Sequence, residues 1–210
     1  LDADAESIGL FRTEILHTST GSLPDEEEQF HIYRRLLQSM RGKAVTVRTF
    51  DDNGRRNQVL LKKKPEHNPV LGYRGVRMSR GRPSFFRAQL RALLRASANG
   101  PLRILFPMIS TLDEVQDALY ALDPVKAELR REKIPYDEHI PVGVYITVPS
   151  AALLADAIAQ DVDFITVGIN DLIQFTLAED RCNSDLSSLH HLYHPAILRL
   201  LYQVVQSAHQ

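Results

Sequence analysis

An α/β fold of parallel βαβ units is what this sequence predicts, on two observations. Short β-branched apolar runs recur along the chain, and helical apolar stripes separate them. Four runs carry the pattern: residues 44–50 (AVTVRTF), 102–109 (LRILFPMI), 142–148 (VGVYITV) and 163–169 (DFITVGI). Each is apolar in the near-continuous way of a strand covered on both faces. Residues 7–11 (SIGLF) make a fifth candidate, and residues 70–76 (VLGYRGV) a weaker sixth that its two glycines loosen.

The intervening segments read as helices. Pro24 followed by Asp25, Glu26, Glu27 and Glu28 is a helix start whose acids complement the N-terminal dipole, and Phe30, Tyr33, Leu37 and Met40 then form an apolar stripe. Phe86, Leu90, Leu93 and Leu94 form a second stripe, with Arg87, Arg91 and Arg95 along another side that is expected to be solvated. Val115, Leu119 and Leu122 begin a third helix that Pro124 must kink or split. Leu153, Leu154 and Ile158 mark a fourth. The last helix starts near His194, with Ile197, Leu200, Leu201 and Val204 facing a core.

At 210 residues and 44% hydrophobic content, with no repeat or low-complexity linker, the chain is expected to form one domain with a substantial core. Lys plus Arg number 25 against 26 Asp plus Glu, so net charge gives no reason to expect a nucleic-acid or membrane partner. Any attraction for anions must be local. No apolar run approaches the roughly 20 residues that span a bilayer, and no secretory signal opens the chain, so a cytoplasmic location is expected. The single cysteine, Cys182, excludes an internal disulfide and a multi-cysteine metal site. The chain opens on Leu1, directly into a motif, which suggests a longer parent polypeptide.

In a parallel barrel the active site gathers at the C-terminal ends of the strands. The residues that close the runs here form a coherent set: Arg12, Thr13 and Glu14; Arg48, Thr49 and Asp51; Pro107 and Met108; Asn170 and Asp171. Arg74 and Arg181 follow in adjoining segments. Arginines converging with an amide and carboxylates suit a small polyanion accompanied by a divalent metal, because guanidinium forks bind phosphate and carboxylate at two points. A phosphorylated carboxylic acid fits that description. The plainer alternatives are surface ion pairs for the arginines, and capping of a helix near Leu172 for Asn170 and Asp171.

The stretches GLFRTE (9–14), VRT (47–49) with Asp51, NPVLGYR (68–74), FPM (106–108), VGINDL (167–172) and TLAEDR (176–181) resemble, in order and spacing, the successive signatures of the phosphoenolpyruvate-utilising (β/α)8 TIM-type barrels. PDEEEQF (24–30) and LRASA (94–98) are closer to enzyme I, the phosphoenolpyruvate-protein phosphotransferase of bacterial sugar uptake, than to pyruvate phosphate dikinase or phosphoenolpyruvate synthase. The resemblance implies a barrel domain over residues 1–210, with about six of eight units present and the C-terminal end incomplete. It implies that Arg12 and Arg48 hold the phosphoryl group, that Arg74 and Arg181 lie nearby, that Asn170 contacts phosphate and that Asp171 ligates Mg2+. In that family the phosphoryl group passes from phosphoenolpyruvate to a histidine on a separate N-terminal domain and then to a carrier protein, and the parent is a homodimer. The chain alone is therefore expected to be inactive, with no catalytic residue assigned within it.

Three departures from the family pattern matter. Thr147 stands where the family has a second metal-binding Glu, and a neutral hydroxyl is a poor hard-oxygen ligand, so Mg2+ binding is expected to be weakened. That feature favours a rival reading, a non-catalytic paralogue serving as ligand sensor or assembly module. The segment bearing the family's catalytic cysteine is not present, and Cys182 does not match it. Residues 51–56 (DDNGRR) replace a stretch richer in glycine. Missing barrel units would also leave open sheet edges and exposed apolar surface. His190, His191 and His194 form the one histidine cluster, in which His194, just before Pro195, reads as a helix cap rather than a zinc ligand.

Overall fold

The computed structural model describes residues 5–17, 23–51, 66–189 and 191–209. Five strands, β1 (Ile8–Arg12), β2 (Val45–Arg48), β3 (Leu102–Pro107), β4 (Val142–Ile146) and β5 (Phe164–Val167), form one sheet in the order β1-β2-β3-β4-β5. Every pairing is parallel and joins sequence neighbours. Sequential parallel order is that of a (β/α) barrel; a doubly wound sheet would reverse direction part-way. The described residues make an α/β half-barrel of this kind.

Nine α-helical segments accompany the sheet among the described residues: α1 (Glu26–Ser39), α2 (Met78–Gly81), α3 (Pro83–Ser97), α4 (Leu112–Tyr120), α5 (Leu122–Arg131), α6 (Pro149–Leu153), α7 (Ala155–Ala159), α8 (Ile169–Leu177) and α9 (Pro195–Ala208). The start expected at Pro24 is a reciprocal cap. The Asp25 carboxylate accepts from Glu28 N–H at 2.9 Å, and the Glu28 carboxylate accepts from Asp25 N–H at 3.1 Å. The proline in the third stripe does split it, with α4 ending at Tyr120 and α5 opening on Leu122-Asp123-Pro124. His194 is the N-cap of α9, its Nδ1 accepting from Ala196 N–H at 3.2 Å, while His190 lies outside the described residues.

Strand alternation sorts the side chains onto two faces. Val45 and Val47, Ile104 and Phe106, and Val144 and Ile146 pack against Tyr33 and Leu37 of α1, Leu90 and Leu94 of α3 and Ala151 of α6 in one continuous core. The other face carries Thr46, Arg48, Leu105 and Tyr145, so the inside of the half-barrel is partly polar. The outer sheet edges are less covered: all four residues of β5 are only half-buried, whereas β2 is buried throughout. On α9, Leu198, Tyr202 and Val205 share one exposed face.

Two expectations change. The sixth strand candidate is not a strand: residues 69–77 form two 3-10 turns, Pro69–Leu71 and Gly75–Arg77, so five of the six expected strands appear among the described residues. Gly75 takes φ +57°, and a Cβ there would lie 2.6 Å from Met108 Cβ, a close approach that only glycine permits. The arginine line of α3 is solvated only at Arg87, which is exposed. Arg91 is only 9% exposed and donates to Glu26 at 2.9 Å and, more distantly, to Glu128 at 3.5 Å, while pairing with Glu132 as well. Arg95 donates to Glu26 and Glu27 at 2.8 Å each, and Arg87 pairs with Glu128. The three arginines tie α3 to α1 on one side and to α5 on the other.

Candidate functional site

β2 ends on Arg48, and the chain then turns sharply enough for Asp51, three residues on, to face the same guanidinium. Arg48 Nη1 lies 3.5 Å from Asp51 Oδ2, and Arg48 Nη2 pairs with Glu14 from the turn after β1. Glu14 also accepts from Asp51 N–H at 3.1 Å, so one carboxylate holds both ends of this short segment. Across the half-barrel, Arg48 lies over the Tyr145 ring at 5.3 Å, a cation–π contact that fixes the guanidinium from a third side.

Arg74, between the two 3-10 turns, is 1% exposed. Its Nε and Nη2 donate to the two oxygens of Asp51 at 2.7 and 2.8 Å, and Nη2 also donates to Asp171 Oδ2 at 3.0 Å. Arg181, with 28% of its side chain exposed, brings Nη1 to 2.7 Å from Asp171 Oδ1, off the hydrogen-bonding direction, so that oxygen keeps a free lone pair. The result is a continuous chain of alternating charge: Glu14, Arg48, Asp51, Arg74, Asp171 and Arg181.

Burial sets the electrostatics. Glu14 has its pKa raised chiefly because burial disfavours the anion, with Arg48 only partly offsetting this. Asp51 is more deeply buried, yet the hydrogen bonds and charge of Arg74 outweigh desolvation and hold its pKa below the ordinary carboxylate value. Desolvation likewise opposes the Arg48 and Arg74 cations, and their carboxylate partners overcome it, so both pKa values rise. Four buried polar atoms of the cluster make no hydrogen bond among the described residues: Arg48 Nε, Arg74 Nη1, Glu14 Oε2 and Asp171 Oδ1. Two unmet guanidinium donors inside a pocket of ion pairs are suited to an anion.

Of the residues expected at the site, Arg48, Arg74, Asp171 and Arg181 come together. Arg12 and Asn170 do not join the ion-paired chain; both are exposed, Arg12 at the end of β1 and Asn170 in the first turn of α8. The capping alternative for Asn170 and Asp171 gains nothing either, because α8 opens at Ile169 with Gly168 before it and no side-chain cap. Asp51 and Glu14 stood out in the sequence only as residues closing a strand, yet they anchor both buried arginines. Tyr145 was legible only as part of an apolar strand. Residues 52–56 of the departing loop lie outside the described residues.

The donor set bears on the metal that the resemblance implies. Thr147 is fully buried, and its hydroxyl donates to Met108 Sδ at 3.7 Å. Met108 itself sits at φ +60°, a left-handed conformation rare for methionine. Asp171 therefore supplies a single free carboxylate oxygen, flanked by two guanidiniums, and no group of three His, Cys, Asp or Glu side chains suits a metal among the described residues. This set does not fit a divalent cation held by the protein alone.

Comparison with known proteins gives the family. Residues 1–210 match the family model for the PEP-utilising enzyme, PEP-binding domain. The phosphoenolpyruvate-protein phosphotransferase of Staphylococcus carnosus is 46% identical over 209 residues, which is 100% of this chain and 36% of that protein. The protein of the same name from Priestia megaterium is 47% identical over 210 residues, covering 100% of this chain and 37% of the relative. The chain thus spans little more than a third of the length of these relatives. Among solved structures, a citrate lyase from Burkholderia xenovorans LB400 aligns with a TM-score of 0.51 at 16% identity, over 90% of this chain and 59% of that one, a likeness of fold alone. Matched along its whole length by the family model, with strands and arginines arranged as described, the chain belongs to the PEP-utilising enzymes and corresponds to their PEP-binding domain.

Proposed function

We propose that this domain binds phosphoenolpyruvate at the Arg48–Arg74 cluster and presents its phosphoryl group for transfer in a longer phosphotransferase. The observation that carries the reading is the pair of buried donors without a partner among the described residues, Arg48 Nε and Arg74 Nη1, beyond the C-terminal ends of parallel strands. Glu14 and Asp51 orient the two guanidiniums before any ligand arrives, so little reorganisation remains to be met on binding. The three arginines of the chain are matched by three carboxylates, and the exposed Arg12 supplies the surplus positive charge. Arg12 and Asn170 then close on the phosphate from the rim. Asp171 contributes the one oxygen for Mg2+, which binds weakly and in company with substrate.

In the full protein, the phosphoryl group passes to a histidine on another domain and from there to a phosphocarrier protein serving sugar uptake, with the parent a cytoplasmic homodimer. No helix among the described residues is long and apolar enough to cross a membrane. The chain alone does not transfer phosphate. The names of the relatives support a phosphotransferase over a pyruvate phosphate dikinase or phosphoenolpyruvate synthase. Thr147 supports a second reading, a non-catalytic relative that keeps the pocket as a ligand sensor or assembly module.

The test is calorimetric titration of phosphoenolpyruvate into the full protein and its Arg48→Ala variant. Affinity should fall more than about tenfold, the equivalent of roughly 1.4 kcal/mol for a lost charge-assisted contact. Equal affinities remove Arg48 from the site.

A further inference from the structure

A string of buried polar side chains runs between α1, α3 and the sheet, and Gln89 of α3 is its hub. Gln89 is 1% exposed. Its Oε1 accepts from Phe50 N–H at 2.8 Å, and its Nε2 lies 3.3 Å from both Thr13 Oγ1 and Tyr33 OH. Thr13 Oγ1 donates onward to the Arg48 carbonyl at 3.1 Å. On the far side, Tyr33 OH donates to Gln29 Oε1 at 3.0 Å, and Gln29 Nε2 donates to the Pro24 carbonyl at 3.1 Å, just before the cap of α1.

We propose that Gln89 is a positioning residue for the anion site, holding the backbone between Arg48 and Asp51 in the conformation that aims both side chains into the ion-paired cluster. The proposal rests on the phosphoenolpyruvate reading and deepens it. Arg48 is fixed through its carbonyl by Thr13, and Phe50, next to Asp51, is fixed directly through its amide. The same four-residue stretch thus meets α3 on its helix-facing side and the guanidinium–carboxylate chain on the other. A buried amide on the same core-facing helix as Leu90, Leu93 and Leu94 costs stability relative to an apolar side chain unless its hydrogen bonds are met, and here both ends are engaged. The conformation it imposes is not one the β2 ladder dictates, because the strand ends at Arg48. Beyond it Thr49 N–H still donates to the Leu105 carbonyl at 3.0 Å. From Phe50 onward, the amide of Gln89 takes over from the ladder.

The experiment compares wild type, Gln89→Met and Arg48→Ala, singly and combined, in the full protein by calorimetry with phosphoenolpyruvate. Methionine keeps the volume and removes the amide. Gln89→Met should lower affinity at least about fivefold, and in the Arg48→Ala background the same change should have a clearly smaller effect, because much of it runs through Arg48. A purely structural role predicts a lower melting temperature with affinity unchanged in the folded protein, and that result overturns the proposal, as does an effect undiminished by Arg48→Ala. Should Gln89→Met not fold, Thr13→Val and Thr13→Ser replace it: valine should weaken binding and serine, which keeps the hydroxyl, should restore it. Equal affinity for the valine and serine variants overturns the proposal. Wild-type protein that binds no phosphoenolpyruvate overturns the underlying reading and the inference with it, whereas a binding wild type with unaffected variants overturns the inference alone.

Discussion

Arg74 and Asp51 form a two-point pair, Nε to Oδ1 at 2.7 Å and Nη2 to Oδ2 at 2.8 Å, with almost no exposure on either side. Because Nη2 also reaches Asp171, one guanidinium neutralises carboxylates from the β2 and β5 ends of the half-barrel. Removing it leaves two buried anions facing each other. Arg74→Ala should therefore destabilise the fold by about 3–5 kcal/mol, as expected when one partner of a buried pair is lost. Urea unfolding measures this, and a loss below about 1 kcal/mol would mean the pair is no better than a surface contact. Arg74→Lys keeps the charge but loses the fork, so it should recover only part of the loss.

Glu14 supplies a pH dependence with a defined sign. Its folded pKa lies above the unfolded value because burial penalises the anion. The folded state then holds the proton more tightly, so Glu14's contribution to stability is greatest below the unfolded pKa and declines as pH rises through the folded one. Protonation also releases Arg48 from its partner. Sulfate, whose charge is constant over this range, should bind more tightly as pH falls from neutrality toward the ordinary carboxylate range. Glu14→Gln should bind it tightly throughout, with a flatter pH profile. Calorimetry across that range checks both, and an unchanged slope in the variant excludes Glu14 as the titrating group.

Thr147→Glu tests the missing carboxylate. Thr147 is packed so closely that its Cγ2 lies 2.5 Å from where a Cβ on Gly168 would stand, so glutamate must extend away from Gly168 to be accommodated. If it reaches the free oxygen of Asp171, Mg2+ should bind at least about tenfold more tightly in the presence of phosphoenolpyruvate. Phosphorylation of the carrier by the full protein should then rise. A variant that binds metal yet stays inert favours the sensor reading, and a wild type already active at low Mg2+ shows that Thr147 is no handicap.

The helix layer offers a prediction remote from the site. Arg91 pairs with Glu26 of α1, Glu128 of α5 and Glu132, which follows α5. Arg91→Ala should cost about 2 kcal/mol in unfolding free energy, an allowance for partly solvated charge-assisted bonds, and the loss should shrink in high salt. Phosphoenolpyruvate affinity should be unchanged. A salt-independent loss would assign the effect to packing of the arginine stem instead.

The sequence made the strands and the strand-end arginines legible because both depend on local pattern: apolar runs for β2, β3 and β4, and the polar residues immediately after them. It misled at residues 70–76, where apolar content resembled a strand but Pro69, Gly72 and the left-handed Gly75 dictate turns against Met108. The burial of Arg91 and Arg95 on α3 is hidden for another reason. The period of the arginine line was visible, but the acids that engage it lie on two other helices, and spacing within one segment says nothing of a partner far away in the chain. Gln89 was hidden in the same way, as a polar residue on a mostly apolar stripe whose bonding partners come from the residues just after β1 and β2 and from α1. Asp51 had a fair signal, an acid three residues past a strand-end arginine, and only the fold shows that it also meets Arg74.

The sequential order of the sheet has a consequence for how the molecule is made. Among the described residues each strand hydrogen-bonds only to the strands just before and after it, so none of these strands needs a partner more than one crossover away. A chain emerging from the ribosome can lay each unit against the one already formed, and the entropy of closing long loops is met in instalments. A longer link runs from Arg74 to Asp171, ninety-seven residues apart, and it cannot form until β5 and the first turn of α8 are in place. Assembly of the anion site is therefore a late event, and a refolding experiment should recover helical circular dichroism before it recovers ligand binding.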